Sequence, residues 1–559
     1  MVMKRLGELL VDQNKITESQ LVKVLKLQKE KGMILGQVLI EEGYVTEKEI
    51  IEVLEVQYGI PRVELDSYEI DPEVPNLISS KMARRHTMIP INLEGTFLSV
   101  AMADPLNIFA VDDLRLATGL NITPLLASEK DILIAIEQYY KKKAAEDTAS
   151  EFSHSFKRIG DDDDEIDFEM LSQVNNAPVV RLIDSLILQA AESKVSDIHI
   201  EPEEEKVRIR YRIDGDLLEH MTLKKASLSA LITRIKIMGN MDIAENRIPQ
   251  DGRVELDFQG RQIDLRISVM PTVHGEKVVM RLLDRSNKVL TVEELGMSPY
   301  NVERFRKITK VPHGIVLVTG PTGSGKSTTL YATLMKLNDI KKNIITVEDP
   351  VEYRLNGINQ TQVNNKAGLT FAGCLRAILR QDPDVIMLGE IRDGETAEIA
   401  VRASITGHVV LSTLHTNDTA STVSRLVDMG IEPYLVASSL VGIVAQRLVK
   451  KICTNCKVEY PISDHEARLL GTGKINLHKG EGCNLCNHTG YRGRTAIYEI
   501  LPVTRAIRDM IDKGDNSEAL KDKAIQDGMT TLFMSCLELV IDGVTTAEEL
   551  FRMTNVMED

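Results

Sequence analysis

The sequence has no tryptophan, and aromatic residues make up only 4% of its 559 positions. It also lacks an excess of positive charge, because 67 Lys and Arg against 83 Asp and Glu give a net charge of −16. A protein that mainly grips nucleic acid is usually basic, and aromatic side chains often accompany the basic ones. The composition therefore argues against a nucleic-acid translocase, which stays open as an alternative of another class.

Long apolar runs are also missing. The longest uncharged apolar stretch, 433–446, is 14 residues, whereas a membrane span needs about 18. The first ten residues contain Lys4, Arg5 and Glu8, and do not look like a signal peptide. We expect a cytoplasmic protein whose association with a membrane, if it has one, is made through a partner.

Cysteines are few, six in all, and four of them form two C-x-x-C pairs separated by residues 457–482. In a reducing compartment this pattern favours a metal over disulfides, and four thiolates suit a closed, structural zinc site. A redox disulfide pair and an iron–sulfur cluster are the alternatives. The predicted zinc ligands are Cys453, Cys456, Cys483 and Cys486.

The length predicts three or four domains. Residues 1–60 contain a helical repeat, because Leu6-Gly7 and the pattern after it return 29 residues later from Leu35-Gly36. Residues 61–140 mix strands and helices and, with the repeat, form an N-terminal module. A flexible linker follows at 141–170, where charge is dense and apolar residues are few. A second domain covers 171–286, and the third, 287–559, includes the cysteine segment at 450–495.

A phosphate-binding motif opens the third domain. An apolar strand at 315–319 leads into G-x-x-x-x-G-K-S and then a helix from Thr329. In this setting backbone N–H groups close around phosphate, Lys326 reaches the β- and γ-phosphates, and the Ser327 hydroxyl holds Mg²⁺. The predicted nucleotide-binding residues are Gly320, Thr322, Gly323, Ser324, Gly325, Lys326, Ser327 and Thr328.

Two later strands end in acidic residues, and a third is flanked by histidines. The strand at 344–347 leads into Glu348 and Glu352, and the strand at 385–388 into Glu390. In a parallel sheet these ends lie at the edge that carries the phosphate loop. One carboxylate is expected to orient Mg²⁺ and another to position the attacking water. His408 and His415 are candidates to sense the γ-phosphate or to hydrogen-bond within the core.

The order of these motifs resembles that of secretion-superfamily ATPases. The acidic box 348–352, Gly389-Glu390, the histidine box 407–416 and the second-domain segments 196–199 and 249–253 all fit the family. The chain is most similar to the type IV pilus assembly (extension) ATPases, the PilB branch, and the type II secretion ATPases are near neighbours. The resemblance implies a multidomain α/β protein with a RecA-like ATPase domain, a preceding α+β (PAS-like) domain and a zinc-binding insertion.

The resemblance also implies how the site is assembled. It predicts a homohexamer that binds ATP or ADP with Mg²⁺, in which Glu352 is the general base and Glu390 belongs to the second acidic motif. It implies a platform protein of the bacterial inner membrane and cytoplasmic pilus accessory proteins as partners. Arginines of the second domain are expected to complete the site, some across the subunit boundary, unless they form a solvated strand face. The candidates are Arg247, Arg253, Arg266 and Arg281, with Arg208 and Arg210 behind them.

The N-terminal repeat is similar to the cyclic di-GMP-binding (MshEN-like) module of some of these ATPases. Departures from that pattern are Asn14, Lys15 and Ile34, and isoleucine can neither stack on guanine nor pair with phosphate as arginine does. The repeat therefore predicts either a cyclic di-GMP site or a bundle that docks on a partner.

Together these features predict a motor that hydrolyses ATP to drive pilin polymerisation. Type II secretion is the alternative within the family. A nucleotide-dependent scaffold that barely hydrolyses ATP is a third hypothesis, disfavoured by the intact Lys326, Glu352 and Glu390.

Overall fold

The computed structural model describes residues 6–136, 139–140, 177–284, 290–471 and 476–554, apart from 14, 32–34, 46–48, 51, 54, 56–58, 66, 67, 69, 72 and 259. Within these residues, none of the helices has both the length and the apolar character required to cross a membrane. The linker predicted at 141–170 and the departures at Asn14 and Ile34 lie outside the described residues.

The described part of the N-terminal repeat contains three helices. Gln20 donates its backbone N–H to the Thr17 hydroxyl at 3.3 Å, so Thr17 caps the second helix. Gly43 has a φ of 69°, the left-handed conformation in which helices commonly end. Leu10, Val24 and Leu39 form the centre of a small apolar core. The helices are α1 (Leu6–Asp12), α2 (Glu18–Lys31) and α3 (Leu35–Glu41).

A three-stranded sheet follows in the order β1-β2-β3, with β2 and β3 parallel. The strand β2 covers Phe97–Met102, and the next helix begins at Ile108 because Asn107 caps it. The elements are α4 (Ser80–His86), β1 (Met88–Glu94), β2 (Phe97–Met102), α5 (Ile108–Thr118) and β3 (Asn121–Leu126).

The second domain is a six-stranded sheet in the order β6-β5-β4-β9-β8-β7, in which every neighbouring pair is antiparallel. Asp214 and Gly215 form the hairpin turn between β5 and β6, with positive φ of 49° and 103°. The elements are α6 (Ala177–Glu192), β4 (Asp197–Pro202), β5 (Lys206–Ile213), β6 (Asp216–Lys224), α7 (Leu228–Met238), β7 (Gln250–Phe258), β8 (Arg261–Thr272) and β9 (Gly275–Asp284).

A seven-stranded sheet forms the third domain in the order β12-β11-β13-β14-β10-β15-β18. All neighbours are parallel except β15 and β18, so the predicted parallel sheet gains an antiparallel edge. Its four central strands, β11, β13, β14 and β10, are buried at every position because helices cover both faces. The strands are β10 (Gly314–Thr319), β11 (Ile344–Glu348), β12 (Asn359–Gln362), β13 (Val385–Leu388), β14 (Val409–Leu414), β15 (Leu440–Ile452) and β18 (Tyr491–Pro502).

The start of one helix in this domain differs from the sequence-based expectation. The helix after the phosphate loop begins at Lys326 rather than Thr329, because Gly325 is its left-handed N-cap. The apolar stretch 433–446 divides into a short helix and the first half of β15. The helices are α8 (Pro299–Thr309), α9 (Lys326–Leu337), α10 (Phe371–Ile378), α11 (Gly394–Ile405), α12 (Thr419–Asp428) and α13 (Pro433–Ser439).

The cysteine segment lies between β15 and β18 and contains its own antiparallel hairpin, β16 with β17. Four helices after it complete the described chain. These elements are β16 (Lys457–Pro461), α14 (Asp464–Leu470), β17 (Asn476–Gly480), α15 (Arg505–Lys513), α16 (Ser517–Gln526), α17 (Leu532–Ile541) and α18 (Ala547–Thr554).

Candidate functional site

The loop between β10 and α9 has the shape of a phosphate cradle. Gly320, Gly323 and Gly325 have positive φ of 147°, 78° and 86°, which side-chain-bearing residues rarely adopt. Space is limited as well, since a Cβ at Gly320 would lie 2.3 Å from the carbonyl oxygen of Gln446 on β15. The glycines therefore allow backbone N–H groups to surround an anion at the N-terminus of α9.

Lys326 lies in the mouth of this loop. Its ammonium donates hydrogen bonds to the carbonyl oxygens of Gly320 at 2.8 Å and Pro321 at 3.0 Å. Burial lowers the pKa of Lys326, and the negative charge of Glu390 acts against that shift. The ammonium is therefore poorly solvated, and a phosphate oxygen would compete well with neutral carbonyls for its protons.

The other loop residues differ in accessibility. Thr322, Gly323 and Ser327 are exposed and Thr328 is half-buried. The Ser324 hydroxyl is buried and has no hydrogen-bond partner within the described residues. The exposed Ser327 hydroxyl stands in the first turn of α9, where it is accessible to an ion.

Glu348 ends β11 inside the protein, with its side chain almost fully buried. Its carboxylate accepts hydrogen bonds from the Tyr331 hydroxyl, from the Thr346 hydroxyl at 2.5 Å and from the Gln360 amide at 3.1 Å. Three neutral donors therefore hold this carboxylate in place, which suits an organising role within the acidic box.

Glu352 lies where the second domain meets the seven-stranded sheet. Its carboxylate pairs with the Arg266 guanidinium of β8, which approaches with both terminal nitrogens. Arg253, directly opposite Arg266 on β7, makes a two-point ion pair with Asp264 at 2.7 and 2.6 Å. Asp264 raises the pKa of Arg253 most, and the charge of Glu352 adds to that effect.

Glu390 follows β13 and has two cationic or titratable partners. Arg392 donates to it at 2.5 Å, and the His415 Nε2 lies 3.3 Å away, just beyond β14. Burial alone would raise the pKa of Glu390, but Arg392 and then His415 outweigh it, so the pKa lies below its usual range. The carboxylate is consequently ionised at neutral pH.

Some of the candidate residues lie away from the phosphate loop and its carboxylates. His408 precedes β14, at the end of the sheet opposite the phosphate loop, and its Nδ1 lies 2.8 Å from the Ala403 carbonyl. Arg247 is 82% exposed and pairs with Glu245 next to it. Arg208 and Arg210 pair with carboxylates of their own domain.

The second domain presents arginines in one row across its strands. Asp197 is paired in register with Arg212 and Arg281, Arg281 with Arg266, and Arg266 with Arg253. Asp197 neutralises Arg281 at 2.9 Å. Arg266 differs from these neighbours because its partner, Glu352, belongs to the other domain.

The four cysteines of the C-x-x-C pairs converge. Their sulfur atoms all lie within 4.8 Å of one another. The Cys453–Cys483 and Cys456–Cys486 separations are 3.8 Å, and Cys483–Cys486 is 3.7 Å. A tetrahedral ion with Zn–S bonds of about 2.3 Å requires sulfur separations of about 3.8 Å. The set therefore fits one tetrahedral metal ion.

Sequence reasoning missed three residues of the site. They are Tyr331, whose hydroxyl reaches the acidic box, Arg392, which holds Glu390, and Gln446, which lies under the loop and accepts the Thr329 hydroxyl at 2.7 Å. No motif distinguishes them in the sequence. Only the closeness of Arg392 to Glu390 along the chain is a local signal.

Comparisons with protein families identify two regions. The family model described as "Type II/IV secretion system protein" matches residues 172–552, and the model described as "MshEN domain" matches residues 58–146. Among known folds, the X-ray structure of the Legionella pneumophila ATPase DotB is similar, with a TM-score of 0.51 and 21% identity, over 67% of this chain and 96% of that one.

Two characterised relatives are similar at higher identity. The type IV pilus assembly ATPase PilB of Myxococcus xanthus is 45% identical over 559 residues, 98% of this chain and 99% of that protein. The type II secretion system protein E of Dickeya dadantii is 50% identical over 400 residues, 71% of this chain and 79% of that protein.

Proposed function

The chain belongs to the type II/IV secretion system protein family and is an ATPase of that family, and we propose that its ATP hydrolysis powers extension of a type IV pilus. The observation that carries this proposal is similarity from end to end. The pilus assembly ATPase matches 98% of the chain, whereas the type II secretion protein matches 71%. Pseudopilus assembly in type II secretion is the alternative, favoured by the 50% identity of that shorter match.

We propose that the site hydrolyses ATP by in-line attack of water on the γ-phosphoryl group. Glu352 accepts the proton of that water, and Lys326 binds the β- and γ-phosphates. The Ser327 hydroxyl and the ionised Glu390 carboxylate would hold Mg²⁺, since hydroxyl and carboxylate oxygens are ligands that this ion prefers. When bound, the ion supplies positive charge beside the phosphates.

Arg266 is the proposed link between chemistry and movement. It pairs with Glu352 across the boundary between the two domains. When the γ-phosphate enters, a stronger anion becomes available to this arginine. Transfer of Arg266 from Glu352 to the phosphate frees the proposed base and shifts the second domain.

Replacing Arg266 tests this link. Arg266→Ala is expected to lower kcat by about 1,000-fold, as for arginines that stabilise phosphoryl transfer. Arg281→Ala is the matched control, because Arg281 stands opposite Arg266 but pairs with Asp197 in its own domain. Phosphate release with purified protein and Mg²⁺ measures both. Equal losses in the two variants would contradict the link.

We propose that the working form is a homohexamer in the bacterial cytoplasm, attached to the inner membrane through a platform protein and joined by pilus accessory proteins. Mass photometry with and without ATP tests the hexamer. A monomer under both conditions counts against it. We also propose a PAS-like classification for the second domain and Zn²⁺ as the ion of the four cysteines.

The N-terminal module is proposed as a cyclic di-GMP sensor, supported by the match of residues 58–146 to the MshEN domain. Titration of the full chain with cyclic di-GMP tests it by calorimetry. Heat that saturates at micromolar ligand supports the sensor. No heat would favour the alternative of a bundle that docks on a protein.

Removing the gene from its bacterium separates the remaining functions. Loss of surface pili with normal protein secretion supports pilus extension, and the reverse supports type II secretion. If hydrolysis drives the function, complementation with Glu352→Gln fails. If the protein is a scaffold that only binds ATP, the same variant restores the function. Hydrolysis strongly stimulated by DNA would instead revive a translocase.

A further inference from the structure

Tyr331 lies on the helix that follows the phosphate loop, five residues after Lys326. Its side chain is 1% exposed, yet its hydroxyl reaches out of the apolar core toward the acidic box. A buried tyrosine hydroxyl normally has one partner that satisfies it. This hydroxyl contacts three groups, and all three belong to residues 348–353.

The three contacts have different directions. The hydroxyl donates to the Glu348 carboxylate, and it accepts the backbone N–H of Glu352 at 3.1 Å and that of Tyr353 at 3.5 Å. One O–H donor and two lone pairs supply these interactions. The tyrosine oxygen therefore joins the last residue of β11 to the peptide that carries Glu352.

The hydroxyl keeps its proton at any working pH. Burial raises the pKa of Tyr331 strongly, and the negative charge of Glu348 raises it further. The ring is also held from the side, since Tyr353 packs edge-on against it at a centroid distance of 5.7 Å. The donor and acceptor directions of this hydroxyl are consequently constant.

We propose that Tyr331 is a positioning residue for ATP hydrolysis, which sets the place of Glu352 relative to the phosphate loop. Lys326 and Tyr331 stand on one rigid helix, so the hydroxyl carries the position of the loop to the Glu352 peptide. This inference depends on the proposed role of Glu352 as the base. It assigns Tyr331 no contact with ATP.

Tyr331→Phe removes the hydroxyl and keeps the ring. Because small displacements of a reacting group are costly, kcat is expected to fall by roughly 10- to 100-fold. KM for ATP and the Kd of a non-hydrolysable ATP analogue should stay within about two-fold, since Lys326 and the loop are unchanged. Tyr211→Phe is the matched control, because Tyr211 is a buried tyrosine of the second domain whose hydroxyl donates to the Leu186 carbonyl at 2.9 Å.

The decisive measurement repeats Tyr331→Phe in a Glu352→Gln background. If Tyr331 acts through Glu352, the second substitution removes nearly all of its effect, leaving a change below about two-fold. An equal fall in both backgrounds, or no fall in the wild-type background, overturns the proposal. The kcat of Glu352→Gln alone tests the proposed base independently of Tyr331. Full activity of that variant would refute Glu352 as the base.

A second variant protects the test against misfolding. Tyr331→Phe leaves the buried Glu348 carboxylate with one donor fewer. Tyr331→Phe combined with Glu348→Gln removes that charge, while the acceptor for the Glu352 N–H is still missing. Glu348→Gln alone is the reference, because Glu348 also organises the acidic box. A kcat in the combined variant about 10-fold or more below that of Glu348→Gln, with a melting temperature near that of wild type, supports positioning. Equal kcat in these two variants shows that only the charge of Glu348 mattered and overturns the proposal.

Discussion

At the scale of single residues, three carboxylates near one phosphate loop have three kinds of partner. Glu348 is held by neutral donors, Glu352 by an arginine of another domain, and Glu390 by Arg392 and His415. The partner determines what each carboxylate can do. A carboxylate whose cation can leave is available as a base, whereas one enclosed by neutral donors is an organiser.

Arg392 is expected to set the acid limit of hydrolysis. Burial opposes the charge of Glu390, and Arg392 is the strongest influence that keeps its pKa low. Arg392→Gln removes that influence, so the pKa of Glu390 rises and the ionised form appears only at higher pH. The acid limb of kcat, measured from pH 4.5 to 8, should therefore move to higher pH by about one unit.

Arg376→Gln provides the comparison for this pH profile, because Arg376 forms an exposed ion pair with Glu395 at 2.6 Å. That variant should keep the wild-type limb. An acid limb that stays in place, or moves to lower pH, in Arg392→Gln would show that Glu390 ionisation does not limit the reaction.

At the scale of elements, the cysteine segment is closed by backbone as well as by sulfur. Cys453 directly follows β15 and donates its backbone N–H to the Gly490 carbonyl at 2.9 Å, just before β18 begins. A Cβ at Gly480 would lie 2.1 Å from that same carbonyl, so the chain segments approach very closely. An ion held by the four thiolates would tie the ends of two neighbouring strands together.

Zinc content tests this arrangement. Wild type is expected to carry one zinc per chain, and Cys456→Ser close to none. A structural zinc contributes about 10 kcal/mol of binding free energy, so the variant should melt at a clearly lower temperature. Cys374→Ser is the control, since Cys374 is buried in the core of the sheet, apart from the four. Iron in place of zinc, or equal metal content in both variants, would contradict the assignment.

At the scale of the whole molecule, contacts between the second domain and the ATPase sheet include two separate places within the described residues. One is the Arg266–Glu352 pair at the site. The other is the β5–β6 turn, where Asp214 accepts the Gly493 N–H at 2.7 Å and lies 3.3 Å from Arg494. Asp216 in the same turn pairs with the mostly buried Lys450. Two contacts restrict rotation between domains more than either one alone.

Removing the turn contact should loosen the domains. In Asp214→Ala/Asp216→Ala, spin labels on the two domains are expected to show a broader distance distribution, and kcat should fall several-fold because Arg266 loses its fixed position. Asp257→Ala is the control, as Asp257 accepts the Gly260 N–H within its own turn. An unchanged distance distribution would show that the β5–β6 turn does not restrict movement between the two domains.

Much of the fold was predictable where a pattern is local. The loop glycines, β5 with its Asp214-Gly215 turn, and the Thr17 cap all follow from residues a few positions apart. The start of α9 and the antiparallel β18 were not predicted, since they depend on a left-handed cap and on the choice of neighbour in the sheet.

The amino-acid sequence alone determined which functional groups the protein contains: a phosphate loop, acidic strand ends and four cysteines in two close pairs. Tertiary structure decided which residues meet. It placed Arg266 rather than Arg281 or Arg247 against Glu352, put Tyr331 under the acidic box, and left His408 at the far end of β14. Local spacing follows from backbone geometry, whereas contacts between residues 86 positions apart, as for Arg266 and Glu352, depend on how separate sheets pack.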